Sequence, residues 1–159
     1  MEKEVNVKKS LIEKFGILEE KFVIPRERRI FVEVPQDDFM NVCRFAAGEL
    51  GFDSLCTITG LDIGENYQFI YHLADKNGIV LNLKLNVPKA NPVIESVTPI
   101  FNGAIFYEKE LIDMFGAVVE GLTKEGRRYP LPDWWPEDQH PLRKDWSSKG
   151  LCMSKEEVK

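Results

Sequence analysis

The chain is poor in the residues that build redox and metal centres, with three cysteines and two histidines in 159 residues. Cys43, Cys56 and Cys152 lie far apart and form no Cys-x-x-Cys pair, so the ligand spacing of a zinc or iron–sulfur site is missing. Their odd number suits a reducing compartment better than a disulfide framework. No glycine-rich turn of the phosphate-cradling kind is present. No apolar run approaches the roughly 20 residues of a membrane helix. The opening Met-Glu-Lys-Glu-Val lacks the basic-then-apolar pattern of a secretory signal. Positive charge is also in deficit: the net charge of −5 argues against nucleic acid or anionic lipid as a main partner. The basic cluster Arg26, Arg28 and Arg29 is diluted by Glu27 and reads as a solvated loop. The expectation is a cytoplasmic chain that reaches any membrane through partners.

What is present describes an ordinary globular domain, 43% hydrophobic and 30% charged. Val7, Leu11, Ile12 and Phe15 have helical spacing, with Gly16 as a left-handed stop. Ile30, Val32 and Val34 alternate with Phe31 and Glu33 as a half-buried strand closed by Pro35. Asp37 or Asp38 can cap a helix carrying Phe39, Val42, Cys43, Ala46 and Leu50, ended by Gly51. A weaker strand covers Ser54 to Thr59. The clearest local signal is a hairpin, Tyr67-Phe69-Tyr71-Leu73 against Ile79-Leu81-Leu83-Leu85-Val87, joined by Asp75-Lys76-Asn77-Gly78. A short extended run follows Pro92, and a helix runs from about Asn102 to Phe115, stopped by Gly116. These elements predict an α+β fold over residues 1–121, an antiparallel or mixed sheet with helices packed on one face. Residues 122–159 then form an extended Pro/Trp-rich C-terminal tail, because its prolines forbid a helix.

Nothing in this pattern looks catalytic. His72 falls on the less apolar face of its strand and reads as structural. Cys43 and Cys56 read as small apolar core residues. The positive signal lies between Tyr107 and Trp146. Glu108 projects into the apolar arc of its helix, where a carboxylate must be paired or must reach water. It either snorkels at the periphery or is buried against a tail arginine, Arg128 or Arg143. The tail holds all three tryptophans, Trp134, Trp135 and Trp146, beside Arg127, Arg128 and Arg143. Those residue types anchor protein–protein interfaces, although they also suit an aromatic strap over the domain's own core.

The same residues resemble a family. Glu108-Lys109-Glu110, two residues, then Asp113-Met114-Phe115-Gly116 is similar to the signature of the thirty-kilodalton subunit of respiratory complex I. Leu131-Pro132-Asp133-Trp134 and His140-Pro141-Leu142-Arg143-Lys144-Asp145 match its closing motifs in order, and Ser96-Val97-Thr98 precedes them as in the family. The match is specific from about Ser96 to Trp146, and Ser147 to Lys159 are unmatched. Lys109 stands where the family has arginine, and Leu122-Thr123-Lys124-Glu125-Gly126 replaces a His-Pro-Asp. With the short tail, these departures resemble the homologues in energy-converting, membrane-bound nickel–iron hydrogenases.

The resemblance implies a subunit without catalytic residues or cofactors of its own. It would sit on the cytoplasmic peripheral arm of an ion-translocating oxidoreductase. There it would clasp the large catalytic-type subunit and the small Fe–S subunit, which would hold the [NiFe] and Fe–S clusters. By motif, Glu108, Glu110, Asp113, Gly116, Arg128, Asp133, His140, Pro141, Arg143 and Asp145 are carried over as structural or interface positions. The residue reading adds Trp134, Trp135 and Trp146. Two other classes stay open: a free-standing soluble module that binds a small ligand, and a stand-alone enzyme using Cys43, Cys56, Glu108 or His140.

Overall fold

One tight turn organises the sheet. In the computed structural model, which describes residues 2–123 and 127–148, Gly78 holds φ +76°. Asp75 Oδ1 accepts from the backbone N–H groups of Asn77 (2.9 Å) and Ile79 (2.8 Å), which fixes the reversal. Strands β4 (Asn66–Ala74) and β5 (Val80–Pro88) therefore pair antiparallel along their whole length. To this hairpin β3 (Ser54–Asp62) adds antiparallel beside β4, and β2 (Arg29–Glu33) adds parallel beside β5. An edge strand β1 (Phe22–Arg26) completes the order β1-β2-β5-β4-β3. The sheet is thus the mixed one expected.

Strand alternation then divides the sheet into two faces. Ile30, Val32, Tyr67, Phe69, Tyr71, Leu81, Leu83 and Leu85 point into one apolar core. Leu11 of α1 (Glu2–Lys14), Phe39, Val42, Cys43 and Ala46 of α2 (Gln36–Gly48), and Leu111 and Phe115 of α3 (Ala104–Phe115) join it. The other face is polar and knitted sideways. Asn82 Nδ2 donates to Ile30 O (2.7 Å), which turns its Oδ1 toward His72 Nδ1 (2.6 Å). His72 must therefore carry its proton on Nδ1 and accept from Thr59 Oγ1 at Nε2 (3.0 Å). Four strands are tied by this one chain of bonds, and His72 is structural.

Several local expectations give way. Helix α1 begins at Glu2, five residues before Val7, and buried Glu4 accepts from the backbone N–H of Arg28 (2.7 Å). Gly16 is not left-handed; the chain passes there into a 3-10 turn, Gly16–Lys21. Asp37 and Asp38 lie in the first turn of α2 behind Pro35, where they favour the positive end of the helix dipole without capping it. The basic cluster is the solvated turn expected, and it forms the tip of the β1–β2 hairpin, with Arg28 at φ +61°. Strand β3 runs on to Asp62, past Thr59, and Cys56 on it is exposed, whereas Cys43 is buried in the core; Cys152 lies outside the described residues. A second small sheet pairs β6 (Val93–Glu95) in parallel with β7 (Val118–Glu120), a strand the sequence pattern did not suggest.

Candidate functional site: a strap across the end of the third helix

Helix α3 places Glu108 on its buried side, fully shielded from solvent. Its partners are not arginines. Ser96 Oγ donates to Oε2 (2.7 Å) and Val97 N–H donates to Oε1 (2.7 Å). Ser96 uses its one proton on Glu108, so the 2.7 Å contact with Thr98 must be donated by Thr98 Oγ1. The Ser-Val-Thr run and the Glu-Lys-Glu helix, separate in sequence, therefore form one buried unit. Burial pushes the Glu108 carboxyl above its ordinary pKa, and the bonds from Ser96 and Val97 only partly oppose that. The alternative of an acid paired with Arg128 or Arg143 is corrected by these contacts: a carboxylate with two strong donors needs no cation.

The arginines close the helix elsewhere. Arg128 reaches the nearly buried Asp113 through Nε (3.1 Å) and Nη2 (3.1 Å), and its Nη1 donates to Trp135 O (2.6 Å). Leu131 N–H donates to the other oxygen of Asp113 (3.1 Å). Further on, His140 Nδ1 donates to Asp113 O (2.9 Å) and Arg143 Nε donates to Phe115 O (2.7 Å). The last carbonyls of α3 lack helical partners and carry the negative end of its dipole. The tail supplies donors to them, one of them a fixed cation. Gly116 makes room: at φ +70° it turns the chain left-handed, and a Cβ there would run into Arg143 and His140.

A second stitch holds the tail to the sheet. Asp62 accepts from Lys144 N–H (2.9 Å), Gly64 N–H (3.1 Å) and Lys89 Nζ (2.6 Å). The Lys144 and Lys89 bonds hold its carboxyl down at about 2. The cations of Lys89 and Arg143 lie 5.4 and 5.9 Å from the ring centre of buried Tyr67. Sequence reasoning missed Asp62, Lys89 and Tyr67. The available signal was Asp62-Ile63-Gly64, an acid two residues before a glycine at a strand end.

The tryptophans divide. Trp135 Nε1 donates to Gln139 O (2.9 Å) and Trp146 Nε1 to Gln139 Oε1 (2.8 Å), so both frame the strap from within. Trp134 is turned outward. Of the other motif residues, Glu110 and Pro141 are half-buried, and Asp133 and Asp145 are exposed. A groove of about 350 Å³ lies beside the strap, lined by Ile112, Val119, Leu122 and Tyr129 among others. Among the described residues no group of three or more His, Cys, Asp or Glu side chains is placed to hold a metal ion. No helix of theirs is long and apolar enough to cross a membrane. Burial pushes the Cys43 thiol far up, which removes the thiolate a nucleophile would need.

Residues 32–151 match the family described as "Respiratory-chain NADH dehydrogenase, 30 Kd subunit". A subunit of the F(420)H(2) dehydrogenase of Methanosarcina mazei is 34% identical over 121 residues, covering 74% of this chain and 75% of that one. Hydrogenase-4 component G of Escherichia coli is 54% identical over 50 residues, which are 31% of this chain and 9% of that much longer one. A chain in the structure of the membrane-bound sulfane sulfur reductase, an archaeal respiratory membrane complex, superposes with a TM-score of 0.81 at 25% identity, covering 93% of this chain and 91% of that chain.

Proposed function

We propose that this chain, which belongs to the respiratory-chain NADH dehydrogenase 30 kDa subunit family, is a docked subunit whose own contribution is rigid positioning. Members of the family are subunits of oxidoreductase complexes, and this chain is one of them. The finer reading is that it carries no cofactor, lies on the cytoplasmic peripheral arm, and clasps the large and small electron-transfer subunits. The [NiFe] and Fe–S clusters would then belong to those partners. Residues 1–121 would form the globular body and residues 122–159 the docking tail.

One observation carries the reading. The strap is fastened from beneath by Asp113, Arg128, His140, Arg143 and Asp62, while Tyr129, Trp134 and Leu142 remain turned to solvent. A segment with little regular backbone pairing is thus held in one shape and keeps its large apolar side chains free, which suits docking without an ordering penalty. Fixed distances between clusters favour fast electron transfer, and a pre-shaped strap across two neighbours would help keep them fixed. The match to a hydrogenase-4 component supports the nickel–iron branch. The F(420)H(2) dehydrogenase relative fits an electron donor other than NADH equally well.

The test is purification of the tagged chain from mildly solubilised membranes of its own organism, with mass spectrometry of what accompanies it. Large and small subunits together with antiporter-like membrane proteins are expected, and nickel in the large subunit would decide the branch. A protein that emerges alone, monomeric and stabilised by a small molecule in the groove beside Tyr129 would overturn the assembly role in favour of a ligand module.

A further inference from the structure

We propose that the loop 133–138 is a docking knob, with Trp134 as its anchor, for a partner protein surface that offers an apolar slot bordered by lysine or arginine. The proposal deepens the docked-subunit reading and rests on it.

The loop is built to hold one side chain out. Two turns shape it, Trp135 N–H to Pro132 O (3.0 Å) and Gln139 N–H to Pro136 O (3.2 Å). Behind them Trp135 and Trp146 lie with ring centres 6.2 Å apart, both tied to Gln139, and Arg128 pins the Trp135 carbonyl. Trp134 rests on this frame, its ring centre 5.8 Å from that of Trp135, yet it is 46% exposed. Its indole N–H meets no acceptor among the described residues. A tryptophan kept half in water on a rigid base is the arrangement found at the centre of interfaces, where little freedom is lost on binding. It asks a partner for an apolar slot and one hydrogen-bond acceptor.

The surroundings specify the charge of that slot. Asp133, Glu137 and Asp138 are all exposed within five positions of Trp134, and none has a cationic partner among the described residues. Arg128 and Arg143 are committed inward, Arg128 to Asp113 and Arg143 to Phe115 O. Three exposed carboxylates on the same short loop as the indole repel nucleic acid, anionic lipid and a second copy of the same loop. They attract a basic rim.

A benzophenone photo-crosslinking residue in place of Trp134, in the full chain expressed in its own organism, should attach to a peptide of another subunit that contains lysine or arginine. Trp134→Ala should lower co-purified partner at least tenfold, as expected for an anchor residue, with melting close to that of the parent. The triple change D133N, E137Q and D138N should weaken association and abolish its salt dependence. Unchanged recovery with Trp134→Ala, or a crosslink to a second copy, to lipid or to an acidic segment, would overturn the knob. If the unaltered chain recovers no partner, the docked-subunit reading itself fails. If it assembles and the variants assemble equally well, only the knob is lost.

Discussion

Replacing Gly116 with alanine brings two separate penalties to one position, and the structure supplies a control that isolates them. The first is conformational. Gly116 sits at φ +70°, and a left-handed backbone costs an ordinary residue about 1–2 kcal/mol. The second is contact. The new Cβ would meet the far ends of Arg143 and His140, the latter at 2.6 Å, and must displace both. Each ring or guanidinium is held by a bond to a helix carbonyl, Arg143 to Phe115 O (2.7 Å) and His140 to Asp113 O (2.9 Å). Losing the charged bond costs about 1.5–3 kcal/mol and the neutral one about 0.5–1.5 kcal/mol. The sum is about 3–6.5 kcal/mol. Gly51 is the control, because it has φ +75° and nothing within 4 Å of the methyl that alanine would add. Gly51→Ala should show only the conformational part, about 1–2 kcal/mol. Urea denaturation of both variants should then separate them by about 2–4.5 kcal/mol, and hydrogen exchange should rise across residues 128–146 only in the Gly116 variant. Equal losses at the two glycines would mean that Arg143 and His140 swing aside freely, and that the strap is not held by the helix end.

Three further outcomes follow from the same contacts. Arg128→Ala leaves nearly buried Asp113 with Leu131 N–H as its remaining donor and should cost about 1–3 kcal/mol, reduced from a fully buried pair because Arg128 is partly exposed. A double-mutant cycle should give clear coupling for Arg128 with Asp113 and none for Arg128 with Glu108; the reverse would refute the assignment. Asp62 has a lowered folded pKa, so its contribution is complete above the ordinary carboxylate pKa of 3.8 and is lost as pH falls toward about 2. The stability gap between the parent and Asp62→Asn should therefore shrink across that window in urea melts, and a constant gap would contradict the stitch. Glu108 has a raised folded pKa, so the parent should lose stability as pH climbs above 4.5, whereas Glu108→Gln should not. A difference between those two proteins that stays flat from about pH 4 to 7 would show that burial does not perturb the carboxyl.

The long-period signals were readable because they are local. The β4–β5 hairpin needs only alternation and an Asp-Lys-Asn-Gly turn, and α3 needs only its apolar spacing and Gly116. The α+β class follows from these together. What escaped was short or made by distant partners. Strand β1 has five residues with Pro25 among them, and β7 has three; both exist because a neighbour pairs with them. The burial of Glu108 was one of two open readings, but its donors come from Ser96 and Val97, and no spacing rule connects a helix carboxylate to a loop eleven residues earlier. The tryptophans were recognised as a group, yet only contacts through Gln139 separate Trp135 and Trp146 from Trp134. Composition names residue types; the direction each one faces is decided by tertiary packing.

The closure of α3 by residues 140 and 143 also fixes an order of events during synthesis. When residue 116 has emerged from the ribosome, the helix is complete as a sequence, but its last carbonyls have no donors except water. They wait until a further stretch of about 27 residues has been made, so the loop carrying Trp134 emerges before the contacts that hold it at its proper height. A chain interrupted between residues 135 and 140 has the residues of its sheet and helix, and carries Trp134 and Trp135 on a segment without His140 and Arg143 to fasten it. Only a chain that has passed Arg143 and Lys144 can present them on a rigid base. The residues that fasten the strap, His140, Arg143 and Lys144, thus follow in the chain the loop that they hold.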